Sequence, residues 1–324
     1  MISLRYHIVS LVAVFLALAL GIVVGSTVLQ EGTVSVLRAT SERVRQESDK
    51  NSRENFALKQ EQARLQSFGT AVLPELVQDR LKGRPVVLVD TDKVDGGLRD
   101  TVRKSLEDAG AEIDGQITFS DQHLTLAAEA DRRAVGQLLG ADAGAADVLR
   151  GALVKRLADR LITSSAIPQE DGQRPSDLLT GLQDADFLAG LKLSRPITAG
   201  TDPFPRQGSS FVLLGPSPAA APTAVAPDAF LVPLADQVSA RAAGAGAVAG
   251  AEAAAVPDAS SWVVALRNNR SVSRRVSGID SADAPYGQLS LVQALQTSLQ
   301  QGPPGQYGIK GGARALFPDR TDGS

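Results

Sequence analysis

The 324-residue chain has no cysteine. That excludes disulfides, thiolate metal sites and cysteine nucleophiles. It has one methionine, Met1, and two histidines, His7 and His123. Copper(I) prefers thiolate and thioether ligands, whereas copper(II) and zinc favour clustered imidazoles. Two histidines this distant cannot form such a cluster, so no metal site is expected within one chain. Aromatic residues make up 4%, with one tryptophan and three tyrosines. A transmembrane β-barrel needs aromatic girdles and strands of about ten alternating residues, and this supply cannot furnish the girdles. The net charge of −3 shows no basic excess of the kind that points to nucleic acid.

Motifs that would carry chemistry are equally scarce. Neither G-x-G-x-x-G nor a Walker lysine pattern is present, and no G-x-S-x-G frames a serine nucleophile. A Ser-His-Asp triad would have to use His123, in "FSDQHLTL". That histidine reads as a surface or capping residue, with Asp121 marking a helix start. No catalytic residue, cofactor or metal ligand is expected, and the chain reads as a non-enzyme.

What is present begins with "MISLRYHIVSLVAVFLALALGIVVGSTVLQ". Residues 8–29 carry no charge. As a helix they extend about 33 Å, enough for a hydrocarbon core of roughly 30 Å. A secretory apolar region is usually about 7–15 residues long. Ala17-Leu18-Ala19 has the form of a cleavage site but lies in the middle of the run. Residues 8–29 therefore read as a retained signal anchor, with a cleaved signal peptide as the alternative. Arg5 precedes the run and Glu31 follows it. The positive-inside rule then makes residues 1–7 a cytoplasmic tail and places the bulk outside. Gly21 and Gly25 form G-x-x-x-G, which either permits close helix approach or is ordinary glycine content.

Residues 33–68 contain neither glycine nor proline and are dense in Glu, Arg and Gln. Leu37, Val44, Asn51, Leu58, Leu65 and Val72 recur every seven residues, the signature of a coiled-coil seam. Three residues further on, Thr40, Glu47, Glu54 and Glu61 make a poor second seam. A weak coiled coil over 31–72 is expected, forming a homodimer or a hetero-complex, with Asn51 setting register. A solvated single-helix spacer is the other reading. Gly69 and Pro74 are expected to interrupt the helix.

Beyond it, "RPVVLVDTDKVDGGLRDTVRKSLEDAGAEIDGQITF" reads strand, turn, helix, strand. Residues 85–89 suit a strand buried on both faces. Val94, Leu98, Val102 and Leu106 mark one helix face, Gly110 a helix stop, and 111–119 a second strand. Asp90, Asp92 and Asp95 read as a solvated acidic turn that repels phosphate, with a hold on a divalent cation as the other reading. Further strands are expected at 209–215, 228–234, 246–252 and 262–266. Helices are expected at 145–162, 234–244 and 288–300, a mostly helical cap over 127–193, and a Pro/Ala-rich loop at 215–227. The expected fold is α/β: a Rossmann-like or flavodoxin-like domain over 84–310 with a mainly parallel sheet and helical insertions, then a tail at 311–324. Arg267, Arg270, Arg274 and Arg275 in "RNNRSVSRRVSG" read as a solvated loop, or as a docking patch for an anionic surface or acidic partner.

Two end motifs bear a resemblance. The opening "MISLRYHIVSLVAVFLALALGIVVGS", and "PYGQLSLVQAL" followed by "YGIKGGARALFPD", resemble the actinobacterial copper-transport protein B family, MctB. The similarity covers the whole chain. It implies an envelope protein, described in the family as pore-forming in the outer membrane, that takes part in copper efflux and tolerance. Copper enters as a partner through that resemblance alone, and no ligand residues carry over. Some relatives are associated instead with cell separation. That leaves an alternative, a membrane-anchored coiled-coil scaffold or regulator in cell separation and wall remodelling. Tyr286, Gly287, Gln288 and residues 307–312 are signature positions whose glycines suggest turns and close packing.

Overall fold

The structure, a computed structural model, describes residues 4–142, 144–162, 177–194, 204–216, 226–242 and 246–318. The chain divides into two units, Met1–Leu65 and Gln66–Ser324. A single helix, α1 (Leu4–Val77), makes up the described part of the first unit and opens the second. Within it Tyr6–Gly25 is apolar and long enough to cross a membrane, and none of this stretch is buried. At 1.5 Å per residue it reaches about 30 Å.

Gly69 and Pro74 do not interrupt α1, contrary to the sequence expectation; the helix continues to Val77. Glycine in a helix costs about 1 kcal/mol relative to alanine, and proline more. Tertiary burial offsets this. Leu73 and Val77 lie in the core, and the Gln78 N–H donates to the Pro74 carbonyl at 3.0 Å. Gly69 is also needed there, because a Cβ would come within 2.8 Å of Pro285.

The second unit is built on a parallel start. Strand β1 (Pro85–Thr91) leads to helix α2 (Gly96–Asp108) and strand β2 (Glu112–Phe119), and β1 pairs with β2 in parallel. Asp95 caps α2 by accepting from the Leu98 N–H at 3.1 Å. Leu98, Val102 and Leu106 turn inward as their spacing predicts. Gly110, at φ +82°, follows the helix C-cap and allows the left-handed turn.

Helices α3 (Asp121–Leu124), α4 (Glu129–Leu139), α5 (Ala146–Ile162) and α6 (Leu178–Asp184) follow. Among the described residues the expected mostly helical stretch 127–193 is helical in α4, α5 and α6, but it ends in a strand the sequence reading missed. That strand, β3 (Leu188–Leu193), pairs antiparallel to β2. Next come β4 (Ser210–Leu214), α7 (Pro227–Arg241), β5 (Val248–Ala251), α8 (Trp262–Asn268), β6 (Ser277–Ile279), α9 (Pro285–Leu299) and β7 (Gln306–Tyr307). Among the described residues the sheet has seven strands in the order β3-β2-β1-β4-β5-β6-β7, parallel except for β3.

Two expected strands are helices. Residues 228–234 lie in α7, and 262–266 lie in α8. In α7 the buried Leu231, Leu234, Ala235 and Val238 recur at intervals of three and four, which packs one helical face onto the sheet. In α8 the Ser261 hydroxyl accepts from the Val264 N–H at 3.0 Å and starts the helix. Trp262, Val263 and Leu266 then face inward together. Most of the Pro/Ala-rich segment 215–227 lies outside the described residues.

The sheet separates two cores. One holds Val87, Val89, Ile117 and Phe119 against α5, α7 and α8. The other holds Val86, Leu88 and Val212 against α2, α9 and the end of α1. Alternation along β1 sends successive side chains to opposite cores, so the strand reads as one continuous apolar run.

Candidate functional site

The densest buried chemistry gathers where β5, β6 and β7 end. The strands deliver Glu252 just past β5 and Asp280 just past β6, both fully buried. The chain beyond β7 brings Lys310 across to both. The Lys310 Nζ donates to Glu252 Oε1 at 2.7 Å and to the Ala253 carbonyl at 2.9 Å. The Lys310 backbone N–H donates to Asp280 Oδ2 at 2.9 Å, and the Ile309 N–H to Asp280 Oδ1 at 2.9 Å. The Ser261 hydroxyl also donates to Glu252.

Arg267 joins this cluster from α8. Its Nη1 donates to Asp280 Oδ2 at 2.7 Å, and its Nη2 donates to the carbonyls of Tyr307 at 2.7 Å and Gly278 at 3.1 Å. A planar guanidinium, with five N–H donors held in a fixed fork, can bridge a carboxylate and several carbonyls in this way. The sequence reading of Arg267 as part of a solvated loop is therefore corrected: its side chain is 2% exposed. Arg270, Arg274 and Arg275 do lie on the surface. Arg275 is paired with Asp236 of α7, and the burial of Arg267 removes it from any surface patch of these four arginines.

Burial pushes both acids upward, and the hydrogen bonds each accepts decide that the two end shifted in opposite directions. For Glu252, desolvation dominates and raises the carboxyl above its usual range, against the pull of Lys310 and Ser261. For Asp280, burial also works upward, but the Ile309 N–H, Arg267 and the Lys310 N–H outweigh it and hold the carboxyl low.

The glycines of the signature segments make this packing possible. A Cβ on Gly308, at φ +133°, would overlap the Asp280 carboxylate, and one on Gly287 would overlap the Ser281 carbonyl. Sequence reasoning missed Glu252 and Asp280, and held Lys310 only as one of the signature positions 307–312. The one available signal was an acidic residue directly after each of two short apolar strands.

A second polar cluster lies beside β1. Asp90 is fully buried and accepts from Arg99 Nε at 2.5 Å and from Gln116 Nε2 at 3.1 Å. Burial raises its carboxyl above the usual range despite Arg99. The expected solvated acidic turn is thus corrected for Asp90. Asp92 accepts from the Asp121 N–H at 3.2 Å, and Asp95 occupies the N-terminus of α2. A carboxylate already sits where a phosphate would dock.

His123 Nδ1 lies 3.0 Å from Asp131 Oδ1, and its ring packs near Phe187. Among the described residues no three His, Cys, Asp or Glu side chains converge as metal ligands. Along α1, Val44, Leu58 and Leu65 are 60–68% exposed, and Asn51 is exposed with them. Leu37 lies in the same helix, but its side chain is outside the described residues.

Fold and site together define a class: a mixed α/β protein with an N-terminal apolar helix, whose densest buried chemistry fastens a C-terminal segment to the sheet. The comparisons identify it further. The family profile described as "Copper transport outer membrane protein, MctB" matches residues 1–318, and the chain belongs to that family. It is 27% identical to the copper transporter MctB of Mycobacterium tuberculosis over 324 residues, covering 98% of this chain and 99% of the relative. The Mycobacterium leprae copper transporter MctB is 28% identical over 332 residues, with the same coverage.

Proposed function

We propose that this chain is an envelope-anchored protein of copper transport and copper tolerance, held by Tyr6–Gly25 with its α/β domain on the extracytoplasmic side. The family match over residues 1–318 carries this reading. The apolar span supports the anchoring. Copper is the cargo. The donor set of the α/β unit favours a scaffold over a copper(I) site, since its buried carboxylates are matched by Arg and Lys. The chain holds no thiolate and one thioether, at Met1. Copper movement then belongs to an assembly that this chain organises, and the chain itself is not an enzyme.

The strand order supports a Rossmann-like reading of the sheet, whose direction of winding reverses between β1 and β4. In such folds ligands bind at that reversal. Here Asp95 occupies the adjacent helix N-terminus, so we read the domain as an interaction module. The exposed stripe Val44, Asn51, Leu58 and Leu65, with Leu37 at the same spacing, is read as the self-association face.

Deleting the gene should raise cell-associated copper and lower copper tolerance. The full chain should restore both, and a variant lacking residues 6–25 should restore neither. A deletion strain with unchanged copper content and tolerance overturns the reading.

A further inference from the structure

We propose that α1 pairs with α1 of a second copy of this chain in a parallel, in-register two-stranded coil, and that charges flanking the seam set the direction. This rests on the self-association read above and adds the seam and its orientation. A two-stranded seam takes its second row three or four residues beyond the first. Three residues beyond the Leu/Val/Asn stripe lie Thr40, Glu47, Glu54, Glu61 and, at its end, Phe68. Four residues beyond lie Ser41, Ser48, Asn55 and Gln62, with Gly69 already packed against Pro285 of the same chain. Burying carboxylates costs far more than burying small or neutral polar side chains, so the second row is the neutral one. Every residue from Arg38 to Phe68 is exposed, so the face between them is open to a partner.

That choice places the charges. Glu47, Glu54 and Glu61 each precede a second-row residue by one and line one flank. Arg38, Arg45 and Lys59 each follow a stripe residue by one and line the other. In a parallel pair the acidic flank of each helix faces the basic flank of its partner, and Glu54 comes opposite the partner copy's Lys59, five positions on. In an antiparallel pair like flanks meet, Glu against Glu and Arg or Lys against Arg or Lys, which is repulsive. Glu54 is 60% exposed, and its bridge to Lys50 is a loose 3.8 Å, so its carboxylate can turn to the partner. Asn51 sets register, since a slip of one heptad would oppose its amide to Val44 or Leu58 and leave it unpaired. Half of the seam is polar, so the pair is weak in dilute solution. Two copies anchored in one membrane meet at higher effective concentration and already point the same way.

A chain without cysteine makes the test clean. Ser48→Cys in the full chain, in membranes under mild oxidation, should give a disulfide-linked dimer as the major product. Gln60→Cys, on the outer face, should give little. Glu54→Lys should lower the Ser48→Cys yield several-fold, and adding Lys59→Glu should restore it. No dimer above the Gln60→Cys level, or preferential linking of Ser41→Cys to Gln62→Cys in a mixed sample, overturns the proposal. Either result leaves the copper reading intact, because that reading falls only on an unchanged copper phenotype.

Discussion

At the scale of single residues, the contacts of greatest consequence are the buried pairs Lys310–Glu252 and Arg267–Asp280. Removing one partner of a buried pair strands the other, at about 3–5 kcal/mol, whereas replacing both can be nearly neutral. Lys310→Met should therefore destabilise the protein by about that much near pH 7. Glu252→Gln with Lys310→Met should recover most of the loss. The pH dependence follows from the direction of the shift. Glu252 is raised in the folded state, so its contribution is fully present below its unfolded value and is lost as pH rises through the raised one. Losing Lys310, which pulls that value down, widens the window. The Lys310→Met penalty should then shrink as the pH falls from about 7 toward about 5. Guanidinium unfolding of detergent-solubilised protein at several pH values measures this; a penalty that stays flat would count against a charged Glu252 as its source. Asp280, held low, behaves oppositely: its contribution is lost only as pH falls through and below the ordinary carboxylate range.

At the scale of elements, α1 and α8 show how burial overrides local preference. Trp262, Val263 and Val264 are residues that favour strands, yet a Ser261 cap and one buried face make them helical. In α1, Gly69 and Pro74 sit inside a helix because Leu73 and Val77, on either side of Pro74, are buried. The exposed Leu58 and Leu65 lack such a core within the chain. Changing both to Asp should abolish self-association without altering the sheet. Sedimentation should show the loss while far-UV circular dichroism stays close to that of the native chain. Monomers in both cases, with no partner lost from membranes, would make α1 a spacer.

At the scale of the whole molecule, the ligand supply bounds what one chain can do with copper. With Met1 as the one thioether and no thiolate, the full chain should compete no better than an arbitrary protein of its size against a copper(I) chelator. Tight copper retention would show a site that the donor set does not foretell. Protein extracted from membranes should still begin ahead of Tyr6, as N-terminal sequencing would show; a start near Gln30 would mean a cleaved signal. By itself the sequence determined the elements whose signal is local. The uncharged run gave the apolar stretch Tyr6–Gly25, the lack of glycine and proline over 33–68 gave the continuous helix there, and the apolar run of β1 with Leu98, Val102 and Leu106 gave the first β-α-β unit. Only the tertiary structure decided that residues 228–234 and 262–266 are helices, because an apolar run that short fits either conformation until a neighbour takes one of its faces. Tertiary contacts also placed β3, β6 and β7, since strands of two to six residues at or near a sheet edge carry too little pattern to be read alone. The ion pairs joining Glu252 to Lys310 and Arg267 to Asp280 were likewise beyond the sequence. Their partners lie 58 and 13 residues apart, and only the folded sheet edge brings them together in a medium where charges must be matched.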